Sequence, residues 1–298
     1  MYKLLDDWLF KPDDPRPFAL LRISVGLTTF LTLLTFWPYL QFYYTDSGFY
    51  PIASVGQLQD QVYPVSLLYF SDSIAWVRTV YSLTLIAGLL YAIGVYTRWM
   101  GPLLWLLLAS MINRNVFVVD GSLVLLLQLL IPMMFVDTGA TFSWDAKYRP
   151  RKVTIPSWLG VIIRFQLSWV YLLSGVYKLM GADWVGGQAV RFVLSHPAWR
   201  RFDFEALLSQ SWIRSILDAT CLITPWWELF FPLLVLNKYT RWLALGFGVF
   251  LHGSQWMTIN TGLFAPLLLS IYPLYLTRET RSTIWNAIRR RFRKRDPG

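Results

Sequence analysis

Charge is scarce in this sequence. Asp, Glu, Lys and Arg make up 15% of its 298 residues, against about a quarter in an ordinary soluble domain. That deficit, with a mean hydropathy of +0.43, excludes a soluble enzyme and a disordered chain. Cysteine is almost missing as well: the single Cys221 allows no internal disulfide, which excludes a disulfide-stapled secreted module. Two histidines, His196 and His252, are too few for an all-protein transition-metal site without cysteine partners. There is no Gly-rich phosphate loop and no nucleophile elbow. What the chain does have is 55% hydrophobic residues, including 16 Trp, 16 Tyr and 20 Phe. That is the composition of an all-α, polytopic integral membrane helical bundle, a multi-pass protein of a cell membrane.

A bilayer core takes about 20 mostly apolar residues per helix. Eight runs qualify: 18–38, 74–96, 99–113, 116–136, 158–180, 212–236, 240–259 and 261–277. About eight transmembrane helices are therefore expected. With both termini in the cytoplasm, 18 of the 27 Lys and Arg fall in inside segments. Five fall outside (Arg114, Arg191, Arg200, Arg201 and Arg214), and Arg22, Arg78, Arg164 and Lys178 lie within runs. This is the positive-inside pattern. The basic charge follows topology rather than a nucleic-acid patch, so no nucleic-acid partner is expected. Asp6, Asp7, Asp13 and Asp14 before the first run are unlike a cleavable signal. Residues 1–277 read as the transmembrane domain and 278–298 as a basic amphipathic cytoplasmic tail. In the tail, Ile284, Trp285, Ile288 and Phe292 share a helical face beside Arg289, Arg290 and Arg291. That suits the anionic surface of a lipid bilayer.

Two outside segments stand apart. Residues 39–73 hold no Lys or Arg but carry Tyr43, Tyr44, Phe49, Tyr50, Tyr63, Tyr69 and Phe70, a composition for the membrane interface. Residues 181–211 keep Arg191, Arg200 and Arg201 on the outer face against the charge rule. They serve either lipid headgroups or an acidic or extended partner, such as an exported peptide or a partner subunit.

Ionisable groups inside apolar runs are costly and often mark function. Arg22 and Arg164 either snorkel to the interface or pair with an acid, and Arg114 is placed to pair with Asp120. Glu228, after Thr224-Pro225-Trp226-Trp227, needs a cation such as Arg164 or His252, or else its proton, and Pro225 suggests a kink lining a cavity. Lys178, at the outer end of the fifth run, is the sharpest candidate. A desolvated ammonium that gives up its proton is a base, although a lysine there can also snorkel. Asp183 is in reach to pair with it and Trp184 to anchor the helix end. His252, beside Gly253, Ser254 and Gln255, suits ligand binding, proton relay or plain packing.

Around these residues the sequence resembles the HTTM (horizontally transferred transmembrane domain) family. The likeness rests on Tyr171-x-x-x-Gly175-x-x-Lys178-Leu179 followed by Asp183-Trp184 and Gly186 or Gly187. It continues in Phe142-Ser143-Trp144-Asp145, and in His252 with Gly262 and Phe264 downstream and Glu228 and Arg241 upstream. The family includes the membrane domain of vitamin K-dependent γ-glutamyl carboxylase and the membrane protein needed for maturation of the sporulation-delaying peptide toxin of bacilli. The resemblance implies that Lys178 is the base that deprotonates a vitamin K-like hydroquinone. This chain differs in one extra residue between Lys178 and Asp183-Trp184, and in Asp120-Gly121 where the carboxylase has a histidine.

Two readings follow. In the first, the chain is a quinol-coupled enzyme acting on an exported peptide at the extracytoplasmic face. Its catalytic group is Lys178, Asp183 and His252, its quinone or hydroquinone contacts are Tyr177, Trp184, Glu228, Trp226 and Trp227, and its partner contacts are Arg191, Arg200 and Arg201. In the second, it is a non-catalytic membrane factor for peptide maturation or export, working with a partner protein. A transporter is the weaker reading, since the sequence shows no inverted repeat.

Overall fold

A computed structural model describes residues 9–58, 65–148 and 154–293. Asp6, Asp7, Tyr63, the tail after Arg293 and the Phe292 side chain lie outside the described residues. Beyond a two-residue antiparallel pair, β1 (Pro12–Asp13) with β2 (Ile155–Pro156), and one bridge between Arg200 and Ile259, the regular structure described is helical. Two compact units divide the chain, Met1–Val161 and Ile162–Gly298.

The first unit is built on α1 (Pro15–Phe36), capped by the Asp14 side chain and started by proline. A single-turn helix carries the chain into α2 (Leu40–Tyr44), and α3 (Ile52–Leu58) follows. Next come α4 (Ile74–Ile93), capped by Ser73, then α5 (Thr97–Arg114), α6 (Gly121–Met133) and the short α7 (Trp144–Tyr148). The main packing is α1 against α4, and it depends on Gly26. A Cβ there would lie 2.5 Å from the Gly88 carbonyl oxygen and the Ala92 nitrogen, so the backbones could not meet.

Arg22 neither snorkels nor pairs with an acid. It is wholly buried, and Nη1 donates to the Tyr91 and Ala92 carbonyls at 2.8 and 3.0 Å while Nη2 donates to the Phe142 carbonyl at 2.6 Å. The guanidinium thereby covers the Ala92 carbonyl at the end of α4 and adds a second donor to the Tyr91 carbonyl, which the Gly94 amide also meets at 3.1 Å. Asp145 works in the other direction, accepting from the Tyr96 and Thr97 amides at the start of α5. The Phe142–Asp145 motif is thus a clasp between α1, α4 and α5.

Arg114, also wholly buried, does not pair with Asp120. It donates to the Tyr50 carbonyl at 2.8 Å and to Asp46 at 3.2 Å. Asp120 caps its own helix through the Leu123 amide, which holds its carboxylate on α6. Ser110 and Asn115 extend this polar stitching of the aromatic segment to the end of α5: the Ser66 hydroxyl donates to the Ser110 carbonyl and the Asn115 amide to the Tyr43 carbonyl. The rings of Phe42, Tyr43, Phe49, Tyr50 and Phe117 cluster on one another.

The second unit takes up most of α8 (Ser157–Met180) and then α9 (Ala182–Val185), α10 (Ala189–Ser195), α11 (Glu205–Leu208) and α12 (Ser211–Leu234). After α13 (Thr240–Thr258) and α14 (Phe264–Leu269), the single-turn helix Tyr272–Tyr275 leads to α15 (Arg278–Arg293). Helices occupy all eight apolar runs. Among the described residues, Pro15–Tyr44, Ile74–Ile93 and Ser157–Met180 are long and apolar enough to cross a bilayer. The rest are shorter or, like α12, carry charge, here Arg214, Asp218 and Glu228.

Residues 181–211 are folded onto α12 rather than projecting from it. The Val190 amide donates to Cys221 Sγ at 3.3 Å, and Arg191 pairs with Asp218 at 2.8 Å. Arg200 pairs with Asp203 at 2.7 Å. Arg201 donates from N and Nε to the Thr258 and Ile259 carbonyls, and Arg214 to those of Leu208 and Ser209. These bonds explain arginines that the charge rule does not. In the tail helix, Ile284 and Ile288 are exposed alongside exposed Arg289 and Arg290.

Candidate functional site

The helical period brings the candidate site together. On α8, Tyr171, Ser174, Gly175 and Lys178 follow at offsets of three, four and seven, which places them on one face. On α12, Thr224, Trp227, Glu228 and Phe231 repeat the same spacing. The two faces meet at Gly175, where a Cβ would lie 2.6 Å from the Leu229 nitrogen and 2.7 Å from the Pro225 carbonyl oxygen. This close approach sets Lys178 beside Glu228.

Lys178 Nζ lies 2.5 Å from both Glu228 carboxylate oxygens and 2.8 Å from the Ser174 hydroxyl. The Trp184 ring covers it, with Nζ 5.0 Å from the ring centroid. The Glu228 side chain is 5% exposed and that of Lys178 20%. Glu228 therefore pairs with neither Arg164 nor His252; Arg164 donates instead to the Leu274 carbonyl. Nor does Lys178 pair with Asp183. Side chains of a helix lean toward its N-terminus, so the lysine reaches back toward Ser174 and across to α12, while Asp183 lies exposed on α9. From Glu228, α12 runs on for 17 residues toward Ser211, about 25 Å at 1.5 Å per residue.

A second polar chain passes behind this pair. His252 Nε2 is 2.7 Å from the Tyr171 hydroxyl, which is 2.7 Å from the Tyr272 hydroxyl, and His252 Nδ1 is 3.3 Å from Gln255 Oε1. All four groups are satisfied when Nδ1 carries the imidazole proton, Tyr171 donates to Nε2 and Tyr272 donates to Tyr171. The Trp227 ring sits at the centre, 5.0 Å from Tyr171, 5.4 Å from Phe231, 5.2 Å from Phe247 and 6.3 Å from His252, centroid to centroid.

Not every expected residue joins this cluster. Tyr177 is 70% exposed and Trp226 52% exposed, both facing outward. Each is one position away from a residue of the site, and a step of about 100° along a helix is enough to turn a side chain away. Trp184, Trp227 and Glu228 are inside. Arg191, Arg200 and Arg201 are engaged with groups of their own unit, as described above. Sequence reasoning assigned no role to Ser174, Thr224 or Tyr272. For Ser174 and Thr224 the readable signal was their spacing from Lys178 and Glu228, each one helical turn away.

Comparison with known proteins reaches the same region. The sequence model of the HTTM domain matches residues 10–279. A curated relative, the sporulation-delaying protein SdpB of Bacillus subtilis (strain 168), is 23% identical over 269 residues, covering 87% of this chain and 80% of the relative. No solved structure matches.

Proposed function

Because the chain belongs to the HTTM family of membrane proteins, we propose that it is a multi-pass enzyme of a cell membrane. In this reading it crosses the membrane eight times with both termini in the cytoplasm, and it uses the half-buried Lys178 amine as a general base toward a quinol-type cofactor. The observation that carries this reading is the contact of Lys178 with both oxygens of Glu228. An amine that must accept a proton has to lose its own first, and a carboxylate in direct contact can take it. With the proton on Glu228, Lys178 is a neutral amine, able to take a proton from a bound hydroxyl. Ser174 fixes the amine's direction and Trp184 shields it from water.

The groups present suit an oxygen-bearing aromatic molecule: a base, a proton acceptor behind it, and a wall of rings from Tyr171, Trp227 and Phe231. A hydroquinone of the vitamin K type, when bound, supplies an acidic hydroxyl and the reducing power for chemistry on an exported peptide. The chain's own part is to hold the hydroxyl, remove its proton at Lys178 Nζ, and exclude water. The Tyr272–Tyr171–His252 chain stiffens the wall and fixes the imidazole tautomer. The test is quinol oxidation by the purified protein in nanodiscs. Loss of turnover in Lys178→Ala is expected; undiminished turnover removes the mechanism.

The similarity to SdpB favours one alternative, a non-catalytic membrane factor for a peptide, with a partner protein meeting residues 181–211. In that case a partner co-purifies, its capture depends on Arg191, Arg200 and Arg201, and no quinone affinity is found.

A further inference from the structure

Of the buried polar groups of the second unit that have no hydrogen-bond partner in the structure, two belong to the face of α12 that carries Glu228. They are Thr224 Oγ1 and Trp227 Nε1. The residues are 3% and 8% exposed. Leaving a donor unpaired in the interior is costly, so such groups call for an explanation. Thr224 lies four residues before Glu228 and Trp227 immediately before it, so both are within one helical turn of the carboxylate that holds Lys178. An indole N–H only donates, and a threonine hydroxyl readily does. The pair therefore asks for acceptor oxygen. The rings packed around Trp227 (Tyr171, Phe231, Phe247 and His252) ask for a flat, apolar body carrying that oxygen.

We propose that Thr224 and Trp227 form a two-donor seat for the carbonyl or phenolic oxygen of a planar, ring-shaped ligand, and so orient it toward Lys178. The seat rests on the reading of the site as a quinol site. It adds Thr224 as a positioning residue and defines the ligand by its oxygen rather than by its hydrocarbon bulk. Serine at 224 keeps a hydroxyl and so keeps the seat. Valine keeps the shape of threonine without the hydroxyl.

The experiment measures equilibrium binding of two probes to the full chain in lipid nanodiscs: 2-methyl-1,4-naphthoquinone, and 2-methylnaphthalene, which has the same rings and no oxygen. Thr224→Val and Trp227→Phe are each expected to weaken the naphthoquinone by about 3- to 10-fold, the worth of one neutral hydrogen bond. Naphthalene binding by Thr224→Val should not change, and Thr224→Ser should bind the quinone as the parent does. The ligand-free thermal midpoint of Thr224→Val should stay level or rise, because an unpaired buried hydroxyl is lost. Wild-type protein that binds no naphthoquinone overturns the quinol reading and the seat together. Wild-type binding that both variants retain in full overturns the seat alone. Equal weakening of both probes, or a fall in the midpoint of Thr224→Val, shows that the residues pack or bind one another, and likewise removes the seat.

Discussion

An amine and a carboxylate in contact share a proton whose position decides what each can do. Lysine can hand that proton over; arginine cannot at any ordinary pH. Lys178→Arg is therefore expected to keep an ion pair with Glu228, and a thermal midpoint near that of the parent, while losing quinol-dependent turnover. Parental turnover in that variant would show that only a positive charge is needed there. Glu228→Gln removes the proton's destination and strands the ammonium, so turnover and stability should fall together. In the first unit, Arg22→Met leaves the carbonyls of Tyr91, Ala92 and Phe142 without the guanidinium. The Tyr91 carbonyl keeps the Gly94 amide, so at about 1–3 kcal/mol for an unpaired buried acceptor the loss is chiefly that of the Ala92 carbonyl, read as an earlier transition in thermal or denaturant unfolding.

The helices themselves were legible because composition and period speak directly: each apolar run holds a helix, and Gly94, at φ 83°, ends α4 where the second run was read three residues further. Their meeting points were less so. Lys178 looked ready for Asp183, five residues on, yet its partner is Glu228, 50 residues away, because helix direction and the Gly175 crossing outrank proximity in sequence. The carbonyls that receive Arg22, and the Leu274 carbonyl that receives Arg164 Nη1, are backbone groups, which leave no trace in side-chain identity. The Gly175 crossing is open to test. Gly175→Ala should strain the contact with Pro225 and Leu229, and Gly175→Val should strain it more. Both should lower the thermal midpoint and weaken naphthoquinone binding in that order. A Gly175→Val protein with parental stability and binding would mean that α8 and α12 are not in backbone contact.

For the whole molecule, the proposed topology of eight spans with both termini inside predicts a labelling pattern. The native cysteine, Cys221, is buried, and Cys221→Ala provides a background for single cysteines at chosen sites. In intact cells a membrane-impermeant maleimide should label Asp72→Cys and Asp203→Cys, both at exposed positions, and should leave Arg98→Cys and Lys238→Cys untouched until the membrane is opened. The reverse pattern would invert the topology, and labelling of all four would remove it.

The buried guanidinium near the start of α1 also imposes a schedule on synthesis. Its acceptors belong to residues 69, 70 and 120 positions later in the chain. When α1 leaves the ribosome, then, nothing yet exists to receive its charge, and hydrocarbon will not. The first helix must linger at the water boundary, or in the insertion machinery, until α4 and the turn before α7 have been made. Nascent chains cut off before Phe142 should stay susceptible to quality-control proteases that the finished protein escapes.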